Sequence, residues 1–511
     1  MELQLPSFPV LFSLVFVFMV INTVLKRPQT KNSAPKLPPG PWRLPLVGNM
    51  HQLIGSLPHH SLTDLAKKYG PFMYLKVGQV PTIVVSSPDY AKEILRTHDA
   101  IFANRPRTLA SQILLYDCTD ILFAPQGEYW RQLRRICMQE LLSPGRLQSF
   151  QPIREEEMIN MLEVIASKVG SAINLTQMVK TLMFGITSRV AFSKKSSDHE
   201  EFISIVEEFL KSADGFEFAE MFPSLSFLDW TTRPKYESLK LRASRIMENI
   251  IKEHIEENEK SIEKKGKVKD LVDVLLKFHN NGDVGFTITT DNIKAVIFDI
   301  FIAGSETSAL TVDWAMVEMI RHPRVMKKAQ DEVRKVFGKK GLVNETSINE
   351  MKYLKSIVKE TLRLHPPAPL LLPRENGEKC WINGYEIPIK TKVMINVWAI
   401  GRDPKYWIEP ESFMPERFIE GSVNFKGNNF EFIPFGGGRR ICPGMSYGLI
   451  NVELLLALLL YRFDWKLPNG MKHEDLNMME LFGLTVSRKD DLNLIPATYM
   501  SLISIAKSHR I

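Results

Sequence analysis

The order of hydrophobic and polar positions divides the chain into three parts. Residues 3–25 are mostly apolar, and about 20 apolar residues suffice for one helix to cross a bilayer. Basic residues follow this run and no small-residue cleavage site appears, so the pattern favours an uncleaved anchor at 1–25 over a signal peptide. Residues 26–41 are basic and rich in proline, which predicts a stiff, extended hinge. The remainder, 42–511, is predicted to form one domain.

Hydrophobic periodicity within the predicted domain changes between that of strands and that of helices. Two apolar, β-branched runs at 72–86 flank a Gly/Pro turn and predict a hairpin. Helical patterns then dominate almost to residue 365, and a second β-rich patch spans residues 379–398. The sequence therefore predicts a mainly α fold with a small β-rich part.

The longest predicted helix spans residues 293–320, with the Thr290-Asp291 pair as its N-cap. Its middle reads Ala-Gly-Ser-Glu-Thr-Ser at 303–308, and glycine and hydroxyl residues are costly inside an apolar helix. A hydroxyl can take the carbonyl four residues back and open the helix, which would leave a groove. Glu306 and Thr307 then offer an acid and a hydroxyl for proton transfer. The alternative, a polar pair facing solvent, stays open.

Composition and charge narrow the classes of function. The chain is 44% hydrophobic and 24% charged, which is ordinary for a globular protein. Its net charge of +7 is spread along the sequence and gives no argument for nucleic-acid binding. The cysteines form no CxxC or Cys/His cluster, so neither a zinc site nor a disulfide framework is predicted. They are Cys118, Cys137, Cys380 and Cys442.

Cys442 lies in an unusual setting. Residues 434–444 hold three consecutive glycines and two arginines before Cys442, and a helical pattern follows. The N-terminus of a helix favours a thiolate over a thiol. Haem iron held by a cysteine thiolate is the arrangement that favours O–O cleavage. The alternative is a plain loop with a buried, inert cysteine.

The spacing in this loop resembles a known signature. Phe435, Gly438, Arg440, Cys442 and Gly444 match the Phe-x-x-Gly-x-Arg-x-Cys-x-Gly pattern of cytochrome P-450 haem-thiolate proteins. Three further motifs of that family occur in the expected order, and other details resemble plant microsomal members of its 71 family, particularly the D subfamily. That group oxidises terpenoids, and some members act on alkaloids. The further motifs are Trp130-x-x-x-Arg134, the hexapeptide at 303–308 and Glu360-x-x-Arg363.

The resemblance implies a role for individual side chains. Cys442 is expected to be the axial ligand of haem b, and Glu306 and Thr307 are expected to be the catalytic pair. The residues expected to bind haem are Trp130, Arg134, Arg374, Phe435 and Arg440. The residues expected to line the substrate pocket are Phe298, Ile302, Ala303, Ala368, Leu370, Leu372, Phe482 and Leu484. A structural triad of Glu360, Arg363 and Arg417 is expected to lock the core behind the haem loop.

The resemblance also implies the cytochrome P-450 fold, the activity and its partners. A monooxygenase would insert one oxygen atom from O2 into an apolar metabolite, most simply a terpenoid, with an alkaloid or coumarin-type compound as the alternative. Electrons would come from NADPH through cytochrome P-450 reductase, with cytochrome b5 as a further donor, and Arg131 and Arg135 are candidates for docking an acidic donor. A single-pass anchor would hold the domain on the cytosolic face of the endoplasmic reticulum. A peroxide-rearranging enzyme and a non-catalytic haem-binding protein stay open as rivals.

Overall fold

The computed structural model describes residues 36–193, 198–213, 216–230, 232–260, 270–281, 288–340, 345–419, 421 and 423–499. The predicted anchor at 1–25 and most of the predicted hinge at 26–41 lie outside these residues, as does the C-terminus from residue 500.

The described part of the chain is mainly helical, as predicted. Its α-helices are α1 Pro58–Tyr69, α2 Pro88–Lys92, α3 Leu109–Leu114, α4 Glu128–Ile136, α5 Pro144–Ser149, α6 Gln151–Ser167, α7 Leu175–Phe192, α8 His199–Ser212, α9 Phe218–Met221, α10 Thr232–Lys260, α11 Leu271–Asn281, α12 Thr290–Arg321, α13 Pro323–Lys340, α14 Lys352–Leu364, α15 Val397–Ile400 and α16 Met445–Arg462.

The strands form small sheets at the edge of the helical body. The largest sheet has the order β1-β2-β7-β4, in which β2 and β7 run parallel and the other neighbours are antiparallel. The others pair β5 with β6, β9 with β10, and β3-β11-β8. The strands are β1 Phe72–Val77, β2 Val80–Val85, β3 Ile173–Asn174, β4 Arg374–Glu375, β5 Cys380–Ile382, β6 Tyr385–Ile387, β7 Lys392–Ile395, β8 Phe463–Lys466, β9 Glu480–Phe482, β10 Val486–Arg488 and β11 Asn493–Thr498.

Both predicted β regions are confirmed. The β1–β2 pair is an antiparallel hairpin in which Phe72 faces Val85 and Val77 faces Val80. The second predicted patch holds β5, β6 and β7, and β7 joins the first hairpin through parallel pairing with β2. This pairing brings two distant parts of the sequence to one wall of the interior.

The central helix α12 organises the core. It packs on α7, α14 and α16, and an α-helix that is apolar on all sides is buried on all sides. Its N-cap is Thr289, whose hydroxyl accepts from the Asn292 amide while the Asn292 side chain accepts from the Thr289 amide. The predicted cap at Thr290-Asp291 is therefore wrong by one residue, because this reciprocal bond selects Thr289.

Two helices, α12 and α16, are long and apolar enough to cross a membrane by length and composition. Their most apolar windows are 78% and 67% buried inside the protein. Both are therefore core helices of the described domain.

Candidate active site

The predicted cysteine loop is a tight turn in front of α16. Gly436 and Gly438 have φ angles of 72° and 64°, which residues with a Cβ rarely adopt. A Cβ on Gly438 would lie 2.3 Å from Asp99 Oδ1, so the available space also requires glycine. The Cys442 amide donates to the Phe435 carbonyl at 3.0 Å and closes the turn.

Cys442 has the surroundings of a metal ligand. The other three cysteines are buried in the core, whereas Cys442 keeps a partly exposed side chain, although its sulfur lies deep in the protein. The sulfur therefore borders an internal space. The backbone N–H groups of Gly444 and Met445 donate to it, yet burial outweighs them and raises the pKa of the thiol. The N–H groups at the helix N-terminus therefore favour the thiolate, as expected, but do not offset burial by themselves; binding of a metal would remove the proton.

One face of α12 borders the same interior. Gly304 on this face lies against the start of α16, where a Cβ on Gly304 would lie 3.2 Å from the Tyr447 ring. Tyr447 follows Cys442 closely in sequence, so this face and the cysteine loop are neighbours. The residues between 292 and 320 that are not buried are Ile300, Ala303, Gly304 and Thr307. Small side chains on one face leave room there for a flat group.

The hydroxyls of the 303–308 hexapeptide bond within the helix. Thr307 Oγ1 donates to the Ala303 carbonyl at 2.6 Å, and Ser308 Oγ donates to the Gly304 carbonyl at 3.0 Å. The helix nevertheless runs unbroken from Thr290 to Arg321. The hydroxyls therefore take the carbonyls as predicted but do not open the helix, and the partly exposed Ala303 and Thr307 mark where its face borders an internal space.

Glu306 lies on a different side of α12 from Thr307, because consecutive helical residues point about 100° apart. It is 5% exposed, and its Oε1 lies 3.9 Å from Lys180 Nζ. Burial raises the pKa of Glu306, and Lys180 lowers it less. A carboxyl that keeps its proton at higher pH than usual can carry that proton through the protein.

Arg134 and Arg374 contact the cysteine loop directly. Arg374 donates to Asp99 at 2.8 Å and to the Gly437 carbonyl at 2.6 Å. Arg134 donates to the Ile441 carbonyl at 2.6 Å. These two predicted haem-binding arginines therefore hold the backbone of the loop that carries Cys442.

Trp130 and Arg440 stack on each other next to this pair. The Arg440 guanidinium lies 4.0 Å from the Trp130 ring centroid. Both donate to the Ile121 carbonyl, Trp130 Nε1 at 3.1 Å and Arg440 Nη1 at 3.3 Å. Burial and the nearby Arg374 lower the pKa of Arg440 to about 9, which is the behaviour of a cation crowded by other cations.

Arg105 joins the same cluster and was not predicted. It is 8% exposed and donates to the carbonyls of Leu122 at 3.1 Å and Pro373 at 2.8 Å. Burial, followed by Arg374 and Arg440, lowers the pKa of Arg105 well below its usual value. The only signal in the sequence was its place in the Phe-Ala-Asn-Arg-Pro segment, which by itself indicates no chemistry.

The charges of this cluster fit haem b. Within the described residues Arg374 pairs with Asp99, whereas Arg105, Arg134 and Arg440 have no carboxylate within ion-pair distance. Buried cations without an anion are costly. The two propionates of haem b would supply that charge, the thiol would supply an iron ligand, and the α12 face leaves space for the ring.

An apolar cavity lies beside this region. Phe123, Phe209 and Phe216 line it, and the lining also includes the charged residues Glu220 and Lys392, none of which was predicted individually. Ligand cavities of this kind combine apolar walls with a few polar groups. The predicted pocket residues that line it are Ala368, Leu370, Leu372, Phe482 and Leu484.

The three predicted pocket residues on α12 are not part of that lining. Phe298 is fully buried, and its ring packs against Phe202 and Phe209 at centroid distances of 6.0 and 5.6 Å. Phe298 therefore contacts the cavity wall through Phe209, because its own ring is enclosed by aromatic neighbours. Ile302 is buried nearby, and Ala303 lies on the open face of α12.

The structure brings the predicted supporting residues together. Arg363 donates to both carboxylate oxygens of Glu360 at 2.7 and 2.8 Å, and Arg417 donates to the same carboxylate at 3.0 Å. Glu360 and Arg363 are almost fully buried. The Phe435 ring, at the start of the cysteine loop, lies edge-on to Phe425 with 5.3 Å between centroids.

The chain resembles known proteins over nearly its whole length. The Cytochrome P-450 family model matches residues 38–492. The chain is 54% identical over 483 residues to cytochrome P-450 71D11 of Lotus japonicus, covering 94% of this chain and 98% of that one. It is 50% identical over 495 residues to premnaspirodiene oxygenase of Hyoscyamus muticus, covering 96% and 98%. It is 52% identical over 495 residues to tabersonine 16-hydroxylase 1 of Catharanthus roseus, covering 96% and 97%.

A solved structure shares the fold. A zebrafish cytochrome P-450 determined with progesterone superposes with a TM-score of 0.75 at 24% identity, covering 87% of this chain and 100% of that one. With the family match, the relatives and the geometry of the site, the chain belongs to the plant 71 family of cytochromes P-450 and is a haem b-dependent monooxygenase.

Proposed function

We propose that this protein is an endoplasmic-reticulum monooxygenase that oxidises an apolar terpenoid of plant specialised metabolism, with Cys442 as the haem ligand. The observation that carries the proposal is an apolar cavity whose wall residues Leu371 and Pro373 contact, respectively, the cysteine loop at Gly436 and the buried Arg105. Together they would accommodate an apolar substrate, the haem ring and the haem propionates.

Haem b, when bound, supplies the activation of dioxygen and the transfer of one oxygen atom to the substrate. The protein would hold the haem through its iron and through its propionates. The Cys442 sulfur would hold the iron, and the backbone N–H groups of Gly444 and Met445 that donate to this sulfur would temper its charge. Arg105, Arg134, Arg374 and Arg440 would bind the propionates, because their cluster holds excess positive charge.

Thr307 and Glu306 would handle protons. The Thr307 hydroxyl lies on the open face of α12 and holds its proton toward the Ala303 carbonyl, from which it can turn. Glu306 is buried behind it, and the nearby Lys180 side chain is 20% exposed. A proton could therefore pass from solvent at Lys180 to Glu306 and then, through intervening water, to the open face.

The cavity supports a terpenoid substrate. Its walls are aromatic and aliphatic side chains from separate segments, so affinity would come from burial of apolar surface at about 25 cal/mol per Å². Premnaspirodiene oxygenase, at 50% identity, is named for a terpenoid. Exclusion of water by these walls would also keep the reaction coupled to the substrate.

The electron donors and the membrane location extend the same proposal. Members of the family work with NADPH–cytochrome P-450 reductase, and cytochrome b5 would be a second donor. Arg131 and Arg135 on α4 are exposed, as a docking surface for an acidic donor requires, although Arg131 also pairs with Glu128 at 2.8 Å. The apolar run at 1–25 would anchor the domain.

An alkaloid is the second candidate substrate, because relatives at 49–52% identity are named tabersonine hydroxylases and epoxidases. The test is turnover by membranes containing the full chain and reductase, with NADPH, offering sesquiterpenes and tabersonine-type alkaloids in parallel. We expect products that have gained one oxygen from the terpenoids. Turnover of alkaloids alone would overturn the terpenoid assignment.

A matched pair of variants tests the cavity. Phe482 lines the cavity, whereas its strand neighbour Leu481 is 50% exposed. Phe482→Ala should weaken substrate binding, seen as a larger Kd in the spin-state titration of the haem, and should change the product pattern. Leu481→Ala should change neither. Equal effects of the two substitutions would contradict the placement of the substrate in this cavity.

A further inference from the structure

Two buried carboxyl groups meet between α12 and the segment 120–123. Asp299 Oδ2 accepts from the backbone amides of Ile121 at 2.8 Å and Leu122 at 3.1 Å. Asp120 Oδ2 accepts from the amides of Leu122 at 3.2 Å and Phe123 at 2.9 Å. Asp120 is fully buried and Asp299 is 2% exposed. These four bonds fix the segment onto the helix.

The two carboxyl groups share one donor, because the Leu122 amide donates to Oδ2 of both Asp120 and Asp299. This shared donor places the two carboxyl groups side by side, where each affects the pKa of the other, and Oδ1 of each has no hydrogen-bond partner among the described residues. Ionised carboxylates can only accept hydrogen bonds. The contact is therefore repulsive unless one of the two groups carries a proton, and then it becomes a strong hydrogen bond between a carboxyl and a carboxylate.

We propose that Asp120 and Asp299 share one proton, and that the pair positions residues 120–123 for haem and substrate binding. Residues 120–123 contact both the arginine cluster and the substrate cavity. The Ile121 carbonyl accepts from both Trp130 and Arg440, and Phe123 lines the substrate cavity. Asp120 and Asp299 are positioning residues, because they act through these neighbours.

The charges around the pair agree with a single shared proton. The titratable and charged groups that face it are Arg105, Arg440, Tyr129, Cys118 and Cys137. Arg105 and Arg440 are the cations that face the pair, and they favour one negative charge on it. Burial opposes a second negative charge, so one of the two groups keeps its proton.

The pair should make the stability of the protein depend on pH. Burial raises the pKa of Asp120 to about 6 and raises the pKa of Asp299 well above its usual value. The folded protein therefore keeps a proton that the unfolded chain loses above about pH 3.9. The contribution of this pair to stability is then fully present below about pH 3.9 and is lost as the pH rises through the pKa of the folded pair.

Asparagine at either position imitates the protonated partner. In Asp299→Asn the amide oxygen can still accept from Ile121 and Leu122, while its NH2 group donates to Asp120 without any shared proton. Asp299→Ala removes both the acceptor and the donor. The matched control is Asp313→Asn on the same helix, because Asp313 binds Thr176 at 2.5 Å and lies 3.6 Å from Arg488, not next to another carboxyl.

The direct test is infrared spectroscopy of the purified, haem-loaded full chain at neutral pH. A protonated carboxyl gives a C=O band that shifts in D2O. We expect Asp299→Asn and Asp120→Asn to lose the same band relative to the unsubstituted protein, and Asp313→Asn to retain it. If both Asn variants keep every protonated-carboxyl band, the shared proton does not exist.

A second readout tests the positioning role. Haem transfer to apomyoglobin should be as slow in Asp299→Asn as in the unsubstituted protein, and several-fold faster in Asp299→Ala. The thermal midpoint of Asp299→Asn should also fall less steeply as the pH rises from mildly acidic to mildly alkaline. If Asp299→Asn and Asp299→Ala release haem at the same rate, the hydrogen-bonded pair does not position the segment.

Discussion

Glu360→Gln removes the charge around which the buried ion network is built. Glu360 accepts two hydrogen bonds from Arg363, one from Arg417 and one from the Met414 amide. Glutamine has the same shape but one acceptor oxygen, and its NH2 group would face guanidinium donors. Arg363, almost fully buried, would then have only neutral acceptors, the glutamine oxygen and backbone carbonyls such as that of Gly401 at 2.6 Å.

The expected loss of stability is large. Removing one partner of a buried ion pair costs about 3–5 kcal/mol, because the other charge stays buried. That corresponds to roughly a hundredfold or more in the folding equilibrium, at about 1.4 kcal/mol per factor of ten. Proteins are stable by only about 5–15 kcal/mol, so Glu360→Gln should also lower the yield of haem-loaded protein.

The assay is the midpoint of urea-induced loss of the haem Soret band in the purified full chain. The matched control is Arg324→Met, which removes an ion pair to Glu416 at 2.7 Å in which Arg324 is 67% exposed. An exposed pair contributes about 0–1 kcal/mol, so the control should leave the midpoint nearly unchanged. Equally small shifts for both variants would refute the reasoning that burial makes the Glu360 network stabilising.

Two further substitutions test the proton route and the anion site. Glu306→Gln should lower turnover by about a hundredfold or more without changing substrate Kd. In the unsubstituted protein turnover should fall as the pH rises through the raised pKa of Glu306, and Glu306→Gln should lose that fall in a pH profile. Arg105→Met should make the haem-free protein more resistant to urea, because it removes a crowded buried charge, and should speed haem release; slower release would contradict a role of Arg105 in binding the propionates.

Local pattern alone was enough for the hairpin at 72–86 and for the extent of α12. Strand alternation and helical periodicity are recorded in neighbouring residues, so both elements could be predicted. The N-cap was missed by one residue, because Thr289 and Thr290 look alike and only the partner Asn292 distinguishes them. The parallel pairing of β2 with β7 joins segments about 300 residues apart, and no local pattern encodes such a contact.

The site residues also fall into those that the sequence could indicate and those that only the fold reveals. Cys442, Arg134 and Arg440 stand in spaced motifs and Arg374 is implied by the family resemblance, so all four could be named from the sequence. The structure places Arg134 and Arg374 on the cysteine loop. Arg105 could not be named, because an arginine in a loop joins the arginine cluster only when Leu122 and Pro373 fold around it.

The chemistry of buried groups was the hardest part to foresee. The helix N-terminus favours a thiolate at Cys442, as the sequence indicated, but burial raises the pKa of the thiol, and burial depends on the whole fold. Likewise Asp120 and Asp299 each look like an ordinary acidic residue until α12 brings them together.

The most direct test of the central claim is the ferrous–CO difference spectrum of membranes containing the full chain, compared with Cys442→Ala. If Cys442 holds the haem iron, the unsubstituted protein should give the red-shifted Soret band of thiolate ligation, and the variant should lack it. Circular dichroism of both purified proteins checks that the variant is folded. A folded, haem-loaded protein without that band, or a Cys442→Ala variant that retains it, would contradict the assignment.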